Sequence, residues 1–262
     1  MTGFTLLVGC ILFSIQIYCD FSGYSDIAIG CARLFGFDLM RNFNFPYFSR
    51  NISEFWRRWH ISLTTWFRDY IYIPLGGNRC NYKKIIRNIF IVWAISGLWH
   101  GANWTFICWG LYHATMLSVA NLLHLNTKHK HTIAYNRPLP NFKELLQLLF
   151  TFTLVSIGWI IFRSESLGEA VHYISAMCNR SLFDITGGLN QLKGLNLTIT
   201  SSMTAIMMIV EWTQRTKQHG LQFSDKFMLT KYAVIRYLIY ITLAMITLCF
   251  AGTQSDFIYF QF

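Results

Sequence analysis

The chain has 262 residues, of which 53% are hydrophobic and 17% aromatic but only 13% charged. Soluble domains carry about a quarter charged residues, and several runs here hold no charge, so composition argues against a soluble protein and for an integral membrane protein. The net charge of +10 then marks cytoplasmic loops rather than nucleic-acid binding.

Residues 4–19 are apolar and uncharged, about the minimum for one span. Helical character continues past Asp20 to Phe37. Asp20 and Tyr24 can share one helix face, as can Ser22 and Asp26. Acids this close to a span need a partner or water, which leaves two readings: an interfacial or pore-lining cap, or a wall of an active site. The N-terminus has no basic region and no small-residue cleavage site, so a signal peptide is not expected.

Residues 38–87 alternate arginines with aromatics, and no run is long enough to span. They predict short helices in or dipping into the interface. Within FWRRWHISLTTW (55–66), Trp56, Leu63 and Phe67 fall at helical spacing on the face of His60. Ser53 is the expected N-cap of the helix carrying His60. Glu54 and Arg58 stand in the favourable order for an ion pair, Arg57 and Arg58 are expected to anchor the interface, and Pro74, Gly76, Gly77 and Asn78 form a closing turn.

From Asn88 to Leu123 the sequence is apolar again. One helix of that length would measure roughly 50 Å, longer than a bilayer core needs. Gly97, Gly101 and Asn103 predict a break, giving segments 88–99 and 103–122 with His100 at the bend. A titratable ring in such company must be hydrogen-bonded, catalytic or metal-bound. His113 reads as a span-end residue. His124, His129 and His131 fall in a basic loop without carboxylate or thiolate, so no metal site is expected.

Further spans are expected near 144–162, 197–212 and 233–251. Loop 123–143 carries four Lys and Arg and no acid before Glu144, and 213–236 is strongly basic, whereas 163–196 is balanced and reads as a loop. The two basic loops fall on one side, which the positive-inside rule makes cytoplasmic. The seven cysteines form no CxxC pair and read as small buried hydrophobes.

YCDFSGYSDIAIG (18–30), RNFNFPYFSRNISEFWRRWHISLTTWFRDYIYIPLGGNR (41–79), SGLWHGANWTFICWGLYH (96–113) and the terminal FIYFQF (257–262) together resemble the membrane-bound O-acyltransferases. The resemblance is to the bacterial branch that acetylates alginate and peptidoglycan, and it covers the C-terminal half of that branch's length. It implies an all-α polytopic membrane protein, one helical bundle with short interfacial or re-entrant helices, incomplete at the N-terminus. It implies an enzyme of the bacterial inner membrane that moves an acetyl group from a cytoplasmic donor toward hydroxyls of an exported or cell-envelope polysaccharide. His100 maps to the catalytic histidine and His60 to a second one lining the chamber, with Trp56, Trp99 and Asn103 as candidate substrate-binding neighbours. No tightly bound cofactor and no metal are implied. The donor would be acetyl-CoA or another acyl thioester, and the partners the lipid bilayer, the polysaccharide acceptor and a periplasmic SGNH-type acetyltransferase. D-alanyl transfer to a teichoic-acid-like polymer, or an inactive membrane scaffold, are the alternative readings.

Overall fold

The structure, a computed structural model, describes residues 1–125, 129, 131–219 and 232–250. Every regular element among them is helical. The chain divides into two units, Met1–Ala205 and Ile206–Phe262.

In the first unit α1 (Gly3–Leu34) runs unbroken for 32 residues. Its start is fixed by Thr2, whose side chain accepts from the Thr5 amide, the usual way an orphan donor is satisfied. Then come a 3₁₀ turn (Pro46–Phe48), the short helices α2 (Ile52–Trp56) and α3 (Ile61–Phe67), and a π-helical turn (Arg68–Tyr72). A hairpin of α4 (Tyr82–His100) and α5 (Trp104–Leu122) leads to α6 (Phe142–Arg163). Among the described residues α1 and α6 are long and apolar enough to cross a bilayer.

Two local expectations are corrected. The N-cap of α2 is Asn51, whose side chain accepts from the Glu54 amide, and not Ser53. His60 lies in no helix. It occupies the left-handed region (φ 43°, ψ 56°) between α2 and α3, so the helical face expected to join it to Trp56, Leu63 and Phe67 is broken there. The break lets the chain pair with the preceding loop: the Asn44 amide donates to Arg58 O (3.0 Å) and the Ile61 amide to Asn42 O (2.9 Å).

The segment 163–196, read from its balanced charge as a loop, is largely helical: α7 (Leu167–Met177), a 3₁₀ turn (Arg180–Phe183) and α8 (Ile185–Gln191). The missed signal is Ser166 three residues before Glu169. Ser166 Oγ caps the Glu169 amide (3.2 Å), and the Glu169 carboxylate reaches back to the Glu165 amide (2.8 Å). The apolar face of α7 packs Tyr173, Ile174 and Met177 against Leu6 and Cys10 of α1. Polar side chains join α1 to α6: Ser14 Oγ donates to Ser156 Oγ (3.0 Å), a contact of the kind that holds helices together where solvent is apolar.

The α4–α5 hairpin is the closest helix pair. A Cβ placed on Gly97 would lie 2.5 Å from the Phe106 carbonyl oxygen, and one on Gly110 would lie 2.2 Å from that of Trp93. Only hydrogen fits at either point, as in other small-residue crossings. The hairpin turns at Gly101 to Asn103, and the helix continues through Gly97.

The arginine-rich segment is held by a buried ion cluster. Glu54 receives Arg50 Nε (3.1 Å) and Arg58 Nη2 (2.7 Å), and Arg50 Nη2 donates to His131 O (2.6 Å). Arg58 is therefore a buried structural residue and not an interface anchor, whereas Arg57 is exposed. In the second unit α9 (Leu197–Gln214), which begins in the first, reaches its end, and α10 (Ala233–Cys249) is a shorter apolar helix.

Two outcomes follow from this packing. Gly110→Val should separate α4 from α5 and cost about 1–3 kcal/mol or more, read as a lower unfolding temperature of the chain in nanodiscs. Glu54→Gln should cost about 3–5 kcal/mol, because Arg58 is left buried without a counter-charge and Arg50 keeps only Glu144, at 4.0 Å. Burial pushes the Glu54 carboxyl up, but the Arg50 hydrogen bond and the Arg58 charge outweigh it and hold the group below its ordinary value. A depressed folded value means this stabilisation is complete above the unfolded carboxylate range, about pH 4.3, and is lost as pH falls through the folded value. The stability gap between wild type and Glu54→Gln should therefore shrink in acid.

Candidate active site at the α4–α5 turn

His100 is the last residue of α4, and Gly101 is its C-cap. A Cβ on Gly101 would meet the Phe106 ring at 2.7 Å, so glycine is needed where the chain folds back. The His100 imidazole stands in an aromatic cage. Its centroid lies 4.9 Å from Trp99, 5.1 Å from Trp109 and 5.1 Å from Phe162, the last two nearly edge-on. Three elements thus supply the cage: α4, α5 and the end of α6.

His60 approaches from the arginine-rich segment. Its ring meets Phe21 of α1 edge-on at 4.7 Å and Trp99 at 6.3 Å. Trp99, 55% exposed, is in ring contact with both imidazoles and connects them. The two histidines, which no sequence spacing joins, are thereby brought together.

A non-glycine residue in the left-handed region costs of order 1 kcal/mol or more and persists only where its surroundings hold it. For His60 these are polar. Ser62 Oγ lies 3.4 Å from His60 Nδ1, and Asn42 Oδ1 accepts from both Ser62 Oγ and the Ser62 amide. Asn42 Nδ2 in turn donates to Ser25 of α1 (3.3 Å). Of the acidic stretch after residue 18, Phe21 and Ser25 are the residues that build this wall, while Tyr24 and Asp26 point outward and are exposed. Burial pushes the His60 imidazole, which lies outside the spanning segments, down to about 4. At neutral pH the ring is uncharged, with one nitrogen able to donate and one to accept.

Trp56 and Asn103 sit elsewhere. Trp56 is buried behind the cage, between Trp93 (4.5 Å) and Trp109 (5.7 Å). Asn103 caps α5 by accepting from the Thr105 amide (3.1 Å), and its Nδ2 donates to Glu165 O (3.1 Å). Both polar ends of its amide are engaged in shaping the turn.

His113 is not at a span end. It lies in the middle of α5, fully buried, and its Nδ1 accepts from Trp56 Nε1 (3.4 Å). Its Nε2 has no hydrogen-bond partner among the described residues and faces Gly158 of α6, where a Cβ would come within 2.8 Å. The signal was available: a lone imidazole in an apolar run, one helical turn after Trp109. Among the described residues no three His, Cys, Asp or Glu side chains gather as a metal site.

Residues 2–159 match the membrane-bound O-acyltransferase family. Among curated relatives, the chain is 45% identical over 202 residues to the probable alginate O-acetylase AlgI of Azotobacter vinelandii, covering 77% of this chain and 38% of that protein. It is 36% identical to the peptidoglycan O-acetyltransferase of Helicobacter pylori, covering 95% of this chain and 48% of that protein. To the teichoic acid D-alanyltransferase of Bacillus subtilis it is 34% identical, covering 58% and 40%. The chain spans between about a third and a half of the length of these relatives. The matched region contains the α4–α5 turn, both histidines that meet at Trp99 and most of the cage around them, and on this ground the chain belongs to the membrane-bound O-acyltransferase family.

Proposed function

We propose that the chain carries the reaction centre of a membrane O-acyltransferase that moves an acetyl group toward hydroxyls of an exported or cell-envelope polysaccharide. The observation that carries this reading is the meeting of His60 and His100 across Trp99 at a helix break walled by aromatic rings. Acyl transfer needs a base for the acceptor hydroxyl and a donor for the developing oxyanion. In this reading His100 takes the hydroxyl proton while the hydroxyl oxygen attacks the thioester carbonyl. The carbon–sulfur bond then breaks and the leaving thiolate takes up the proton. Neutral His60 donates to the oxyanion. The aromatic walls exclude water, which would otherwise hydrolyse the acyl donor.

The donor in this proposal is acetyl-CoA or another acyl thioester reaching the site from the basic, cytoplasmic side of a bacterial inner membrane. A periplasmic SGNH-type partner completes delivery. The two acetylating relatives match this chain over more of its length than the D-alanyltransferase does, which favours acetyl over D-alanyl.

The test is cleavage of labelled acetyl thioester, with a glycan oligosaccharide added as hydroxyl acceptor, by the full 262-residue chain in nanodiscs. His100→Ala should lower the rate by about 10²–10⁴, the contribution of a positioned acid or base. His60→Ala should lower kcat by about 10²–10³ and leave donor affinity near wild type, as loss of one oxyanion donor does. Equal rates for wild type and His100→Ala would overturn the role given to His100. Absence of cleavage in both would favour the scaffold reading.

A further inference from the structure

A second site lies across α6 from the histidines. A cavity of about 430 Å³, within the range of small-ligand sites, opens between α1, the end of α6 and the start of α7. Its walls include Phe13, Arg163, Glu165, Glu169 and Tyr173. Arg163 lies over the Phe13 ring, 6.0 Å from its centroid, and makes no ion pair among the described residues. One Glu169 oxygen is committed to the Glu165 amide (2.8 Å), and the Tyr173 hydroxyl donates to Leu6 O (2.7 Å). What remains on offer is a guanidinium donor, carboxylate and phenol acceptors, and an aromatic ring. The cavity is also tied to the reaction centre. Phe162 forms one wall of the His100 cage, the next residue, Arg163, lines the cavity, and Asn103 at the turn holds Glu165 O.

We infer that this cavity binds a neutral sugar unit of the acceptor glycan. Hydroxyl groups can donate to the carboxylates and accept from Arg163 while the C–H face of the ring packs on Phe13. Two carboxylates against one guanidinium leave the walls with one net negative charge, which opposes a uronate, a phosphate or a lipid headgroup bearing one. The inference rests on the polysaccharide acetyltransferase reading and narrows it: an acceptor rich in neutral or N-acetylated sugars fits, and a polyuronate does not.

Saturation-transfer NMR on the full chain in nanodiscs can measure this, with chitotetraose as the neutral probe and tetramannuronate as the acidic one. The wild type should bind chitotetraose about tenfold more tightly than tetramannuronate, the scale of one charge-assisted hydrogen bond gained or lost. Phe13→Ala should weaken chitotetraose by about tenfold. Glu165→Gln with Glu169→Gln should strengthen tetramannuronate by about tenfold, a gain that misfolding would not produce. Tighter binding of tetramannuronate by the wild type, binding of neither probe, or no change in the double variant would each overturn the inference. Thioester cleavage on the same preparation separates the two proposals. A chain that binds chitotetraose but cleaves no donor keeps the cavity and loses the transferase reading, and the reverse loses the cavity alone.

Discussion

The distance between α4 and α5 is set by backbone atoms, because Gly97 and Gly110 leave no side chain between one helix and the carbonyl oxygens of the other. So close a crossing fixes where the two helices can part. They separate at Gly101, against the Phe106 ring, and this leaves His100 at the end of a helix with its ring turned among Trp99, Trp109 and Phe162. The position of the imidazole is thus a consequence of helix contact several residues away.

A second constraint brings His60 to the same place. The arginine-rich segment is held by buried aromatics, Phe55, Trp56 and Trp59 among them, and by a buried ion cluster. Glu54 neutralises part of the charge of Arg50 and Arg58, while the arginines reach on to His131 O and Asn44 O. A cluster of this kind adds little net stability over apolar packing, but loss of one member is costly. It therefore acts as a fastener of geometry. With α2 ended by that cluster, the chain can enter the left-handed conformation at His60, and Asn42 and Ser62 hold it there. The strain is local, and the residue that bears it is the one that faces Trp99.

What could be read from the sequence follows from how far each interaction reaches. The helix bearing the turn, the break after His100 and the Glu54–Arg58 pair all depend on neighbours within a few residues, and their patterns are visible in one dimension. The all-helical membrane fold follows from composition for a similar reason: uncharged runs have few alternatives in lipid. His60 defeated a helical reading because its spacing to Trp56 and Phe67 is truly helical, while the decisive partners, Asn42 and Ser25, lie at sequence distances that periodicity cannot weigh. The helices of 163–196 were hidden by charge balance, although the Ser166–Glu169 cap is a local signal. His113 lies mid-helix and not at a span end because α5 runs unbroken from Trp104 to Leu122, so its imidazole is buried within the apolar run.

The end of α6 has a place in both sites. Successive residues on a helix point about 100° apart, so Phe162 and Arg163 look into different spaces from one rigid element. Phe162 faces the cage of His100, and Arg163 faces the cavity beside α1 and α7. The Asn103–Glu165 hydrogen bond ties the α4–α5 turn to the residues that follow α6. A rotation of α6 that opened one space would therefore alter the other, and the α1–α6 contact at Ser14 and Ser156 resists such a rotation. In the proposed reaction, a stiff element shared between the histidine site and the cavity would keep their separation constant. The cap at Ser166 strengthens this arrangement, because it anchors the first turn of α7, and with it Glu169 and the outer wall of the cavity, within three residues of Arg163.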